Sequence, residues 1–129
     1  MKHIFQDKRG SMGLEFGLAL PILVTMIIGV LQFGLVLNAN GAMRNAMGEG
    51  LRLAKVNPSA TSSQVTQRTK DTLIGVDHQG IQTLTFSRST VNNLSTGTMT
   101  MTIKLTPVIP FAPIPPIVLT QTKKIYLQS

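Results

Sequence analysis

The sequence predicts an α+β chain: a long N-terminal transmembrane helix, then a small domain with one short helix and a three-stranded antiparallel sheet. Three observations carry this. Residues 16–37 form an uncharged run of 22 residues in which Gln32 is the one strongly polar side chain. At about 1.5 Å per residue such a helix crosses a hydrocarbon core of roughly 30 Å. Apolar and small residues then recur at helical spacing to Val56. Beyond residue 80 the pattern changes to alternation, the signature of half-buried strands.

Composition limits the functional classes. The chain has 129 residues, no cysteine and a net charge of +7, with a mean hydropathy of +0.21. Without cysteine there is neither a disulfide staple nor a thiolate metal site. The roughly 75 residues outside the apolar helix are marginal for a self-sufficient core. The basic residues stand singly apart from Lys8-Arg9 and Lys123-Lys124 and are hardly interleaved with aromatics. That excludes a nucleic-acid partner, which needs a basic stripe or stacking platform.

Met1 to Gly10 reads as a polar leader. Ser11 to Val56 reads as one helix, apolar all round and then amphipathic, with Ala39, Met43, Ala46, Met47, Gly50, Leu53 and Ala54 on its inner face. Glu49 and Arg52, three apart, are placed to pair. Pro21 removes a backbone hydrogen bond and is expected to kink the helix or mark an unwound turn. Gly13 and Gly17 form a small-xxx-small pair suited to close helix packing. The helix stops before Asn57-Pro58, because a residue preceding proline disfavours the α region.

Residues 57–129 then form the exterior domain. Thr61-Ser62-Ser63-Gln64 has capping-box form and opens a short helix to about Ile74. Gln82 to Thr90 is a strand with Leu84 and Phe86 on one face. Asn92 to Gly97 is turn-like. Thr98 to Thr106 alternates with Met99, Met101, Ile103 and Leu105 inward. Pro107 to Pro116 holds five prolines and is expected to be an extended, partly polyproline connection. Its Val108, Ile109, Phe111 and Ile114 suit a docked loop. Ile117 to Leu127 is the last strand, with Ile125 and Leu127 on one face. The sheet is expected to be backed by the short helix.

Catalytic chemistry is hard to place. His78, beside Asp77 in a turn, is the one histidine of the exterior part, and no nucleophile-elbow pattern accompanies it. Glu49, Asp71 and Asp77 are too scattered for a carboxylate pair or metal site. Asn93-Leu94-Ser95 matches the glycosylation sequon but reads as turn chemistry. The expectation is no enzyme, no cofactor and no metal.

The informative stretch is Lys8-Arg9-Gly10-Ser11-Met12-Gly13-Leu14-Glu15-Phe16. Lys8 and Arg9 place the N-terminus in the cytoplasm and the C-terminal domain outside by the positive-inside rule. Glu15 is a carboxylate at the start of an apolar helix, where an ionisable group signals function. The segment resembles the processing site of type IV prepilin-like proteins. There a prepilin peptidase cuts after the glycine and leaves a glutamate as the fifth residue, with an aromatic following here. The resemblance implies Gly10-Ser11 as the scissile bond. It also implies that Lys8, Arg9, Glu15 and Phe16 act in processing or assembly, and that Gly13, Gly17 and Pro21 act in helix packing.

Glu15-Phe16, Leu18-Ala19-Leu20-Pro21, Gln32-Phe33-Gly34 and the Asn45-Ala46 to Arg52 stretch together are similar to TadE/TadF-like pseudopilins of the tight-adherence (Flp) pilus. Those proteins commonly carry glutamate where Gln32 stands and arginine where Gly48 stands. The resemblance implies a leader over 1–10, an assembly helix over 11–56, and a single-pass inner-membrane precursor. Its implied partners are the inner membrane, a prepilin peptidase, other pilin subunits and the assembly platform. The mature chain would carry +5, nine basic residues against four acidic. The alternative from a different class is an unprocessed membrane-anchored extracytoplasmic binding domain of an envelope complex.

Overall fold

A computed structural model describes residues 8–107 and 113–128, with side chains from Gly10 onward. Residues 1–7, which the sequence reading takes as part of a leader, and Val108, Ile109, Pro110 and Phe111 of the proline-rich connection, lie outside the described residues. The elements are α1 (Lys8–Val56), α2 (Ser62–Thr72), a 3-10 turn (His78–Gly80), β1 (Ile81–Val91), β2 (Leu94–Leu105) and β3 (Ile117–Tyr126). This is the expected α+β architecture, with the three strands in one antiparallel sheet of order β1-β2-β3.

The chain divides into two compact units, Met1–Gly34 and Leu35–Ser129, with the boundary inside α1. The described residues of the first unit, from Lys8, are helix alone. Its apolar side chains are open to their surroundings: Met12, Leu14, Phe16, Val30 and Phe33 are each about two-thirds exposed. A continuous apolar surface of this kind is incompatible with water and calls for hydrocarbon or other helices. This helix is long and apolar enough to cross a membrane.

α1 runs through Pro21 without an unwound turn. The proline ring normally presses on the carbonyl four residues back. That position is Gly17, where a missing Cβ gives the backbone room to tilt. Thr25 Oγ1 donates to the Pro21 carbonyl at 2.8 Å, occupying an acceptor one turn further on.

The second unit is organised by the other half of α1. Ala39, Met43, Ala46, Met47, Leu51 and Ala54 are buried against Val65 and Leu73 of the α2 region and Phe86, Met99, Met101, Ile103 and Leu105 of the sheet. The principal cover of the core is therefore α1 rather than the short helix, because α1 supplies the longer apolar stripe. Leu51 takes the place expected of Leu53, which is half-buried. α2 lies next to β1.

The caps follow their chemistry. Gln64 N–H donates to Thr61 Oγ1 at 3.2 Å and Thr61 N–H donates to Gln64 Oε1 at 2.9 Å, completing the capping box. At the other end the chain leaves α2 through Gly75, whose φ of +78° is in the left-handed region where Cβ is penalised. Asp77 Oδ1 accepts from Gln79 N–H and opens the 3-10 turn. Glu49 bridges the helices, with Arg52 of α1 at 3.6 Å and Arg68 of α2 at 3.9 Å.

The β1–β2 hairpin is tighter than expected. Its loop is Asn92-Asn93 alone, with φ of 50° and 66°, the primed turn that matches strand twist. β2 therefore begins at Leu94, and Gly97 is a strand residue. A Cβ there would stand 3.0 Å from the Phe86 ring and 3.3 Å from Leu127, so packing explains the glycine. On the outer face Thr100 pairs with Thr122 at 3.2 Å and Thr102 with Thr120 at 3.1 Å.

Arg88, on the inner face of β1, ties down the loop between the helices. Its Nη1 donates to the Pro58 carbonyl and its Nη2 to the Ala60 carbonyl at 2.9 Å, while the guanidinium lies 5.7 Å from the Phe86 ring centroid. Arg88→Ala is expected to cost about 1–3 kcal/mol, the range for losing charge-assisted hydrogen bonds and a cation–π contact. Amide exchange around Ala60 and Val65 in the detergent-solubilised chain checks this. Arg88→Lys should recover only part of the loss, because one ammonium does not reproduce the planar fork.

Candidate processing and assembly segment

The first turns of α1 hold every residue the sequence singles out for processing, assembly or helix packing. Gly10 and Ser11 lie within the helix, and all residues from Gly10 to Pro21 are exposed. Lys8 and Arg9 are placed in the first turn by the backbone. A built Cβ at Gly10, Gly13 or Gly17 meets nothing within 4 Å. Among the described side chains none crowds Gly10, and the Gly13/Gly17 strip is open to a neighbouring helix. Phe16, Ala19, Leu20, Ile22, Leu23 and Met26 form a shallow apolar groove along the helix beside Pro21.

One contact was not anticipated. Ser11 Oγ donates to Glu15 Oε1 at 3.2 Å. Helical side chains lean toward the N-terminus, so residue 15 covers the turn that contains residue 11. A carboxylate entering hydrocarbon is costly without hydrogen bonds, and the serine hydroxyl supplies one from within the same helix. The i,i+4 spacing was the available signal.

His78, the remaining candidate for acid–base work, is engaged elsewhere. Its Nε2 lies 2.8 Å from the Leu73 carbonyl, which only accepts, so Nε2 carries the proton and the ring holds the end of α2. Among the described residues no group of three or more His, Asp or Glu is arranged to hold a metal.

The segment that carries these features lies within a known family pattern. Residues 10–52 match the family model of TadE-like proteins. The resemblance read from Glu15-Phe16 and the Asn45 to Arg52 stretch is borne out over this range, one third of the chain. The matched range contains Gly10, Ser11, Glu15, Phe16 and Pro21, runs through the apolar helix, and stops before α2 and the sheet. No curated protein and no solved structure matches the chain.

Proposed function

We propose that this chain is a minor pilin or pseudopilin precursor of a Tad pilus. It is held in the inner membrane with its N-terminus in the cytoplasm. A prepilin peptidase cuts it after Gly10, and α1 carries it into the filament or its assembly platform. The observation that carries the reading is Gly10-Ser11 with Glu15 one turn on, at the head of an exposed apolar helix inside the TadE-like match. Its role is structural, with no chemistry of its own.

The chemistry of the cut supports this. Gly10 offers a peptidase a backbone without a side chain, and Lys8 and Arg9 favour the cytoplasmic face. Hydrolysis leaves an α-ammonium on Ser11, the residue whose hydroxyl already meets the Glu15 carboxylate. A cation at that position complements the carboxylate, within one chain or between neighbours, and a pair between neighbours fixes the register of two helices. Gly13, Gly17 and the groove beside Pro21 then provide close packing.

Co-expression with a prepilin peptidase tests it. The expected product begins at Ser11 and is lighter by the first ten residues. An intact Met1 form, the mark of an unprocessed membrane-anchored binding domain, or a cut near Asn40 would overturn it.

A further inference from the structure

The sheet of the second unit is covered unevenly. Along its inner face Phe86 pairs with Met99 and Leu84 with Met101, and both β2 residues are fully buried. On the other side Met99 is opposite Lys123 and Met101 is opposite Gln121. The middle of β3 therefore turns a cation and an amide toward the helix side, where β1 turns apolar groups. Lys123 is exposed and reaches α1: a Cβ built at Gly48 would stand 3.5 Å from its Nζ. Arg44, one turn before Gly48, is also exposed and shares a shallow cleft with Thr120, Gln121, Thr122 and Lys123.

Two features of this cleft specify its occupant. The first is that four consecutive residues of β3 line it. Alternation sends Thr120 and Thr122 to the opposite face from Gln121 and Lys123, so the wall is the strand's edge, backbone included. Among the described residues β3 is the last strand of the sheet, and every second residue of an antiparallel edge turns its N–H and C=O outward. The second is charge. Arg44 and Lys123 converge on one cleft, whereas among the described residues the ion pairs both belong to Glu49, on other arginines. The unit as a whole has nine basic residues against three acidic.

We propose that the outer edge of β3 is a docking site for an extended acidic segment of another polypeptide. The segment adds as a fourth strand, taking main-chain hydrogen bonds from residues 120–122 while its carboxylates meet Arg44 and Lys123. The same charges select against a second copy of β3, which would bring Lys123 and Lys124 against their like. The site makes no use of the N-terminal cut and stands or falls separately from it.

The test uses the full chain in nanodiscs of zwitterionic lipid. The probes are a synthetic nine-residue peptide alternating glutamate with threonine or valine, and its glutamine counterpart. The glutamate peptide is expected to bind saturably and to slow amide exchange at residues 120–122, with the glutamine peptide at least about tenfold weaker. Arg44→Gln with Lys123→Gln should weaken binding by a similar factor. Both side chains are exposed, and unchanged exchange at Met99–Ile103 verifies the fold. Lys123→Arg should keep the binding. Equal binding of both peptides, protection elsewhere, an indifferent double variant, or no saturable binding would overturn the proposal. So would displacement of the peptide when phosphatidylglycerol replaces the zwitterionic lipid, which would make the cleft a lipid-headgroup site.

Discussion

Gly50→Ala is expected to destabilise the second unit by about 2–3 kcal/mol, although alanine is the better helix former by about 1 kcal/mol. A Cβ at position 50 would overlap Thr69 Oγ1 and stand 3.0 Å from the Val65 carbonyl oxygen and 3.1 Å from Met99 Cε. None of these neighbours yields easily. Thr69 is fully buried, its hydroxyl donates to the Val65 carbonyl at 2.9 Å and contacts Met99 Sδ at 3.5 Å, and threonine has few χ1 options in a helix. The Val65 oxygen is backbone. Relief therefore requires α2 to move off α1, with loss of packing around Val65 and Met47. In the solubilised full chain, amide exchange at Met99–Ile103 should quicken by about 30- to 150-fold, at 1.4 kcal/mol per decade.

Gly41→Ala is the control of opposite sign. A Cβ there meets nothing within 4 Å, so the propensity gain of up to about 1 kcal/mol should appear undiminished. Combining Gly50→Ala with Thr69→Ala should recover part of the loss by removing the overlapping atom. If Gly50→Ala stabilised as much as Gly41→Ala, the close approach of α1 and α2 would be refuted.

These glycines also mark where the sequence is legible. Spacing alone identifies a long helix from Ser11 to Val56, and the structure places one at Lys8–Val56. Spacing puts Gly50 on the inner face and leaves Gly41 off it, but it does not show that a neighbouring helix presses on Gly50 while Gly41 faces open space. That difference is tertiary. The capping box at Thr61 and Gln64 was readable because both partners lie within one turn. The turn before β2 was overestimated because Ser95, Thr96 and Gly97 have loop-like composition. Gly97 is in fact a strand residue made necessary by Phe86, which is distant in sequence. On β3 the alternation is apolar at Leu119 and Ile125 but broken by Gln121 and Lys123, since α1 covers the β1–β2 half of the inner face. The sequence exposed the break but not its cause.

The candidate segment was more legible than the fold because its information is local. Gly10, Ser11 and Glu15 are separated by one helical turn, and a charge-free run is visible without any contact map. What escaped notice was the hydroxyl of Ser11. Cleavage would create an α-ammonium at this residue, but the uncut chain already provides a donor there. Arg44 and Lys123 lie 79 positions apart in the chain, so their shared cleft was beyond sequence reasoning and their charges read as scattered.

Gly10→Val and Glu15→Ala should separate cutting from assembly. A β-branched side chain at Gly10 stands where a peptidase must close on the backbone, and cleavage is expected to slow by at least about 100-fold, equivalent to about 2.7 kcal/mol in the transition state. The uncut protein should still enter the membrane, because residues 16–37 are untouched. Glu15→Ala leaves Gly10-Ser11 and the helix intact, so a mature N-terminus at Ser11 should form at a rate within a few-fold of the parent. Incorporation should fail, because the new ammonium then lacks its carboxylate in an apolar setting. Glu15→Gln divides the two interactions at this residue. It keeps an acceptor for the Ser11 hydroxyl but removes the charge, so it should be cut normally and assemble as poorly as the alanine variant if the ion pair is what matters. Mass spectrometry of membrane and sheared-filament fractions reads both steps at once. Normal incorporation of Glu15→Ala would remove the carboxylate from the assembly mechanism, and efficient cutting of Gly10→Val would move the scissile bond elsewhere.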